Sequence, residues 1–408
     1  MLHYKETDQP VGGGAVSKPA VTLPWEGGIA MDFDLSPEQR LLRELARDFT
    51  RREIAPAAAR HDREERYPEE IWQQARELGL VNLTVPERYG GGGLGSFELV
   101  LVTEQMARGC AGITAAVSLD ALVAEALLAA GDEEQKRRYL SRIVAGERAG
   151  YAVTEPAAGS DVAAIQSTAR QQSGGYLLNG SKIWISNAPA AGLFLVFAKT
   201  DPQAGHRGLT AFVVDRSAPG LEVGPKLGKL GQKAAPAAQV FLTDVFVPES
   251  ARLGKEGDGF AIAMKVFDRS RPMVAAMAVG LTQRCLDESL AYAKQRQSMG
   301  KPILEHQAVG IKIAEMGMRL EAARLLTYEA AWLVDAGRRN TLQAAYAKAF
   351  AADTAMWAAT EAVQVFGGMG YSTDYPVEKL LRDAKVLQIY EGTSEIQRSI
   401  MTRELGRE

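Results

Sequence analysis

The segment Tyr390-Glu391-Gly392-Thr393-Ser394-Glu395-Ile396-Gln397-Arg398 sets one carboxylate between a large aromatic residue and a glycine. Glycine lets the backbone turn sharply and come close to a ligand. Thr393 and Ser394 add hydroxyls and amides, and either side chain suits the N-cap of a last short helix. A glutamate held against apolar surface has its charged form disfavoured, which raises its pKa toward the range of a general base. The competing reading of Glu391 is a solvated loop glutamate, since this residue type is seldom buried.

The chain before this segment reads as long helices back to Gly259. Val309, Ile313, Met316, Leu320, Ala323, Thr327, Ala330 and Val334 recur in steps of four and three, the seam of a helix packed on others. With the runs at 264–298 and 341–366 this predicts a helical bundle domain over residues 256–408. Ahead of it, short apolar runs at 183–185, 194–198, 209–214 and 239–247 alternate with Gly, Pro and Asp turns. They predict an antiparallel, barrel-like β domain at about 151–255.

Residues 31–150 read as an all-helical domain, with runs at 68–78, 97–107, 115–129 and 133–145. Ser36-Pro37-Glu38-Gln39 combines a capping hydroxyl, a first-turn proline and a glutamine placed to cap back. The helix it opens is expected to end or bend at Pro56. Gly90 to Gly95 formally satisfies G-x-G-x-x-G, but no strand–turn–helix unit surrounds it, so it reads as a loop between helices. Residues 1–30, with Gly12-Gly13-Gly14 and three prolines, read as a disordered tail, and Met31 as the natural start. The fold class is therefore α+β, helical, then sheet, then helical.

A chain of 408 residues is long enough for several packed layers. Its net charge of −3 argues against nucleic-acid binding. Cys110 and Cys285 are the only cysteines, so a reducing, cytoplasmic setting is expected. The four histidines are scattered, no metal-ligand spacing is present, and no membrane insertion is expected.

Two further segments join the first: Y-A-V-T-E-P-A-A-G-S-D-V-A-A from Tyr151, and Q-V-F-G-G-M-G-Y-S-T-D-Y-P-V-E-K-L-L-R-D from Gln364. Together the three resemble the signatures of the acyl-CoA dehydrogenase family, in the right order. The resemblance runs from about Met31 to Glu404 and is strongest toward the medium-chain branch. It implies a helical domain, a middle β domain and a four-helix C-terminal domain. It also implies FAD as cofactor and α,β-dehydrogenation of a saturated short- or medium-chain acyl-CoA. In such a reaction Glu391 removes the α-proton and the flavin accepts the β-hydride, because no side chain can accept a hydride. Electron transfer flavoprotein as acceptor and a homodimer or homotetramer follow from the same likeness.

By that likeness Tyr151, Val153, Thr154, Gly159 and Ser160 belong to the flavin cradle, with Trp184, Ile185 and Ser186 beside the ring. Arg296 corresponds to a diphosphate-binding arginine. Gln307, Gln364, Gly367 and Gly368 correspond to contacts that a neighbouring subunit lends, and Thr393 and Glu395 to contacts on the adenosine and diphosphate side. Ser160, Asp268, Arg271 and Gly392 correspond to substrate contacts, with a structural ion pair as the alternative for Asp268 and Arg271. Thr114 and Ser118 fall where the medium-chain branch has larger residues at the acyl-pocket floor. Two other functions stay open: an oxygen-reducing oxidase, against which the early end of the chain argues, and a non-catalytic acyl- or nucleic-acid-binding member of the fold.

Overall fold

The computed structural model describes residues 34–407; the tail expected at 1–30 lies outside them. Helix α1 (Pro37–Phe49) starts at the expected capping box: Ser36 Oγ accepts from the Gln39 amide at 3.1 Å, and Gln39 accepts from the Ser36 amide at 3.0 Å. Pro56 does not stop this helix. A π turn at Thr50–Ile54 widens the spiral just ahead of it and leads into α2 (Ala55–Glu64), where the proline sits in the first turn.

Helices α3 (Glu69–Glu77), α4 (Ser96–Gly109), α5 (Ala111–Ser118), α6 (Ala121–Ala130), α7 (Glu133–Gln135) and α8 (Ser141–Ala145) complete this part. The run expected at 115–129 is two helices, broken at Leu119-Asp120. Asp120 is buried there and accepts the Ala149 amide at 3.0 Å, tying the break to the first strand. Burial pushes its carboxyl up to about 6. The stretch Ala111–Ala130 is apolar and long enough to cross a bilayer, but 61% of it is buried inside the fold, where it serves as core.

The middle of the chain forms one eight-stranded sheet: β1 (Arg148–Ala152), β2 (Thr168–Gln172), β3 (Gly175–Ser186), β4 (Ala191–Lys199), β5 (Leu209–Asp215), β6 (Leu221–Lys226), β7 (Ala237–Pro248) and β8 (Arg252–Leu253). The four expected strands lie in β3, β4, β5 and β7. The order is β6-β7-β3-β2-β4-β5-β8, and β1 pairs with β4. Most pairings are antiparallel, as expected, but β1 runs parallel to β4, and β2 meets β4 in parallel through Thr168 and Lys199. The sheet folds over on itself, so Tyr176 of β3 packs on Phe212 of β5 with ring centroids 5.0 Å apart. Phe194, Val196, Val240 and Leu242 fill the same core.

Helix α9 (Gly259–Gln295) then crosses the molecule and packs on α4, on α10 (Gln307–Asp335) and on α11 (Thr341–Phe366). The short helices α12 (Val377–Leu387) and α13 (Ser394–Leu405) lie against α11. Of the seam read from sequence, Ile313, Met316, Leu320, Ala323, Thr327 and Ala330 are buried. One feature of α9 matters for the site. Pro272 lies inside the helix and offers no amide to the Asp268 carbonyl one turn earlier. Asn340, just before α11, supplies the missing donor: its Nδ2 lies 2.8 Å from that oxygen.

Asn340 is buried, so Asn340→Ala leaves the Asp268 carbonyl unpaired and should lower the unfolding free energy by about 1–3 kcal/mol. Adding Pro272→Ala restores a helix amide and should recover part of that loss. Urea denaturation of both variants checks this, and equal losses in the single and double variants contradict it.

Candidate active site

Glu391 lies in the loop between α12 and α13. Its φ is +56° and that of Gly392 is +89°. The left-handed region costs a non-glycine residue about 1–2 kcal/mol, so other bonds must hold the turn. Gln397 Nε2 donates to the Glu391 carbonyl at 3.0 Å and to the Gly392 carbonyl at 3.1 Å. Arg271 Nε reaches the Glu391 carbonyl at 3.5 Å, and Lys348 Nζ donates to the Gly392 carbonyl at 2.6 Å. Thr393 is the N-cap of α13, its hydroxyl accepting from the Ile396 amide at 3.2 Å. Among the described residues, the amides of Glu391, Gly392 and Thr393 find no backbone or side-chain acceptor.

The Glu391 side chain is half-buried, and Ser270 Oγ donates to its Oε2 at 2.8 Å. Burial raises its carboxyl above the ordinary value of 4.5; the Ser270 bond and the charges of Arg271 and Lys348 pull the other way. Arg271 is itself buried and bonds Asp268 at 2.9 Å, while Thr341 donates to the other Asp268 oxygen at 2.7 Å. Of the two readings of Asp268 and Arg271, the geometry displays the ion pair, placed against the backbone of Glu391. A cavity of about 270 Å³ reaches Ser270 and is lined by Ser96, Leu99, Met273 and the ion pair of Arg269 with Glu125, 3.0 Å apart. Thr114 and Ser118 do not line it. They donate within their own helix, to the carbonyls of Cys110 at 2.9 Å and Thr114 at 2.5 Å. The glycine loop at 90–95 is held by amide bonds to Asn82, Leu83 and Val85, and Gly95 borders the cavity.

The sheet approaches Glu391 through Tyr151 on β1. Its ring meets Phe267 of α9 edge-on at 6.0 Å, and the charge of Glu391 adds to burial in raising its pKa. Its hydroxyl is buried without a partner among the described residues. The chain beyond β1 then runs beside the end of β3: the Ile183 amide donates to the Thr154 carbonyl at 2.9 Å. Here the β3–β7 register slips between Lys182 and Ile185, and Trp184 projects with φ +61° and 53% of its surface exposed. A large aromatic in left-handed backbone is a strained outlier of the kind that clusters at functional sites. Ser186 and Thr154 are half-buried nearby; Val153 and Ile185 turn their side chains into the core, leaving only backbone for a ligand. Gly159 and Ser160 lie on an exposed loop, where a Cβ on Gly159 would meet nothing within 4 Å. The buried Lys182 braces this corner, bonding Glu155 at 2.6 Å and the Val153 carbonyl at 3.3 Å.

These residues fit a flavin. The Tyr151 hydroxyl, without a partner among the described residues, the Thr154 and Ser186 hydroxyls and the outward Trp184 ring are the polar and aromatic groups such a ring needs, carried on β1, the chain just beyond it and the end of β3. Arg296, Gln307, Gln364, Gly367 and Gly368 are elsewhere. All five are exposed where α9 ends, α10 begins and α11 ends, around a small core of Ala293, Ile303, Ile313 and Val365. Arg296 lies 25 residues beyond Arg271 along a helical path, which at 1.5 Å per residue is about 37 Å. Glu395 is exposed in the first turn of α13. Sequence reasoning missed Ser270, Lys348 and Gln397. Lys348 carried one signal: it is a lone charge in the stretch A-A-Y-A-K-A-F-A-A, with alanines three and four residues away on both sides.

Three family models cover the chain: the acyl-CoA dehydrogenase N-terminal domain matches residues 36–147, the middle domain 150–245 and the C-terminal domain 257–406. An acyl-CoA dehydrogenase of Bacillus subtilis (strain 168) is 43% identical over 373 residues, 91% of this chain and 98% of that protein. The solved butyryl-CoA dehydrogenase of Megasphaera elsdenii superposes with a TM-score of 0.89 at 40% identity, over 92% of this chain and 100% of that one. A chain from a structural study of the electron transferring flavoprotein of Acidaminococcus fermentans gives a TM-score of 0.90 at 38% identity, over 93% of this chain and 100% of that one. The chain is an oxidoreductase of the acyl-CoA dehydrogenase family.

Proposed function

We propose that this protein is an FAD-dependent dehydrogenase that converts a saturated acyl-CoA into the trans-2-enoyl-CoA, with Glu391 as the base. One observation carries the reading: the half-buried Glu391 carboxylate, its pKa raised by burial, is held by Ser270 on a left-handed turn whose carbonyls are bonded by Gln397, Arg271 and Lys348. When bound, FAD supplies the acceptor for the β-hydride. Thr154, Ser160, Trp184 and Ser186 would hold its ring, and Tyr151 would give its free hydroxyl to the same site.

The chain itself must remove the α-proton and steady the charge that results. Glu391 does the first, and Ser270 fixes the direction of its carboxylate. The unpaired amides of Glu391 and Gly392 are the donors available to the thioester oxygen, where negative charge gathers as the proton leaves. Gly392 presents no side chain to block that approach. Asp268 and Arg271 act behind the loop, holding the Glu391 backbone.

The likeness to a butyryl-CoA dehydrogenase supports the short end of the acyl range. The likeness to a chain studied with an electron transferring flavoprotein supports such a protein as the electron acceptor. Arg296, Gln307, Gln364, Gly367 and Gly368 are too far along the bundle to serve the same chain's flavin, which supports a homodimer or tetramer in which they serve a neighbour. Ile311, Met318 and Leu325, seven residues apart and exposed on α10, form an apolar seam suited to such contact. We take the domain limits at 150 and 255 and the setting as cytoplasmic. Peroxide release on turnover would mark the oxidase instead.

Added anaerobically, butyryl-CoA should bleach the flavin of the holoenzyme. Glu391→Gln should bind FAD and bleach at least about 10²-fold more slowly; an undiminished rate would remove Glu391 from the base position. Stability should follow the same group. Because burial raises the folded pKa of Glu391, the native state holds its proton above pH 4.5 while the unfolded chain releases it. Stability is thereby lost as pH rises through that window. FAD-loaded Glu391→Gln should then resist urea better than the parent at pH 7, with the gap closing below pH 4.5. A variant weaker at pH 7 contradicts the raised pKa.

A further inference from the structure

We propose that Lys348 is a positioning residue for the base, holding the Gly392 carbonyl and supplying the positive charge that keeps Glu391 ready to accept a proton. The inference rests on the reading of Glu391 as the base. Lys348 stands in the middle of α11 with no exposed surface. Its ammonium donates to the Gly392 carbonyl at 2.6 Å, its one hydrogen bond among the described residues. A buried ammonium with a single acceptor is costly, and an apolar side chain would fill the alanine-lined face of α11 at less expense. A carbonyl alone does not require a charge, because a glutamine amide can donate to it.

The surrounding charges show what the ammonium faces. Arg271 on α9 is engaged by Asp268 at 2.9 Å. Asp353 on α11 is engaged by Arg398 at 2.7 Å, and by Gln388 and Ser394. Glu395 on α13 is exposed to solvent. Tyr151 on β1, the other titratable group facing Glu391, is held neutral by burial. Among the described residues Lys348 has no carboxylate within ion-pair distance, and Glu391 has no cation within it. They are the unmatched cation and anion of this region, joined through the Gly392 peptide. Each also shifts the other: Glu391 lifts the Lys348 pKa against the burial that pulls it down to about 8, and Lys348 lowers that of Glu391. A contact pair would hold the carboxylate too acidic to take a proton; a cation one peptide away offsets only part of the burial.

The test uses FAD-loaded parent, Lys348→Met, Lys348→Gln and Lys348→Arg, with two readouts. One is the pH dependence of flavin bleaching by butyryl-CoA. The other is infrared titration of the protonated Glu391 carboxyl, assigned by its loss in Glu391→Gln, which needs no turnover. Both midpoints should rise by roughly 1 pH unit in Lys348→Met and Lys348→Gln, and return toward the parent in Lys348→Arg. Lys348→Gln keeps a donor for Gly392, so it guards against a Met variant that fails to fold. Slower bleaching with unmoved midpoints in the Met and Gln variants would mean Lys348 only packs, and overturns the proposal. Should the infrared midpoint move while butyryl-CoA fails to bleach the parent, the dehydrogenase reading fails, the positioning role falls with it, and only the charge coupling of Lys348 to Glu391 is left.

Discussion

The carbonyl oxygens of Glu391 and Gly392 are gathered by donors from three elements, because the two residues follow each other in left-handed backbone. Gln397 comes from the helix that follows, Arg271 from α9 and Lys348 from α11. The turn is strained at Glu391, and its bonds more than match the strain: hydrogen bonds from charged donors contribute roughly 1.5–3 kcal/mol each. The result is a loop whose carbonyls are engaged and whose amides, among the described residues, are not, so the same peptide units that fix Glu391 also offer donors to a ligand.

Electrostatics at Glu391 is a compromise of distances. Burial lifts the carboxyl, and the Ser270 hydroxyl, Arg271 and Lys348 lower it in part. Arg271 is itself balanced by Asp268, whose main-chain carbonyl is freed by Pro272 and recaptured by Asn340. An interior proline thus sets up a link from the α10–α11 connection to the arginine behind Glu391. The proline breaks a helix bond, and the side chain that repairs the break also docks α11, which carries Lys348, against α9.

Chemistry that sits in consecutive residues was legible in the sequence, and chemistry assembled from distant ones was not. Glu391, Gly392 and Thr393 could be read because a glycine, a hydroxyl and a helix start lie side by side. Ser270 and Lys348 reach the loop across more than forty residues, and a serine or lysine inside a helix ordinarily reads as a solvated position. The strands β3, β4, β5 and β7 declared themselves by apolar alternation. Strand β2, T-A-R-Q-Q with mostly exposed side chains, did not, and neither did the parallel course of β1, since register leaves no trace in one strand alone. The break at Asp120 was hidden because the run on both sides of it is mostly apolar and small, with no glycine or proline at the break; the buried carboxylate marks it, and its partner, Ala149, is an amide that every sequence contains.

The length of α9 connects the two groups of site residues that the fold keeps apart. A single helix carries Ser270 and Arg271 near one end and leads to Arg296 at the other. It is packed along its length by α4, α10 and α11, so its span is fixed. On the proposed reading, each chain then presents a base with a flavin cradle at one end and a diphosphate contact at the other, too far apart to meet within one copy. Two copies arranged head to tail along such a span would complete both sites at once. The seam of Ile311, Met318 and Leu325 on α10, which packs beside α9, is exposed apolar surface that such a pairing could cover.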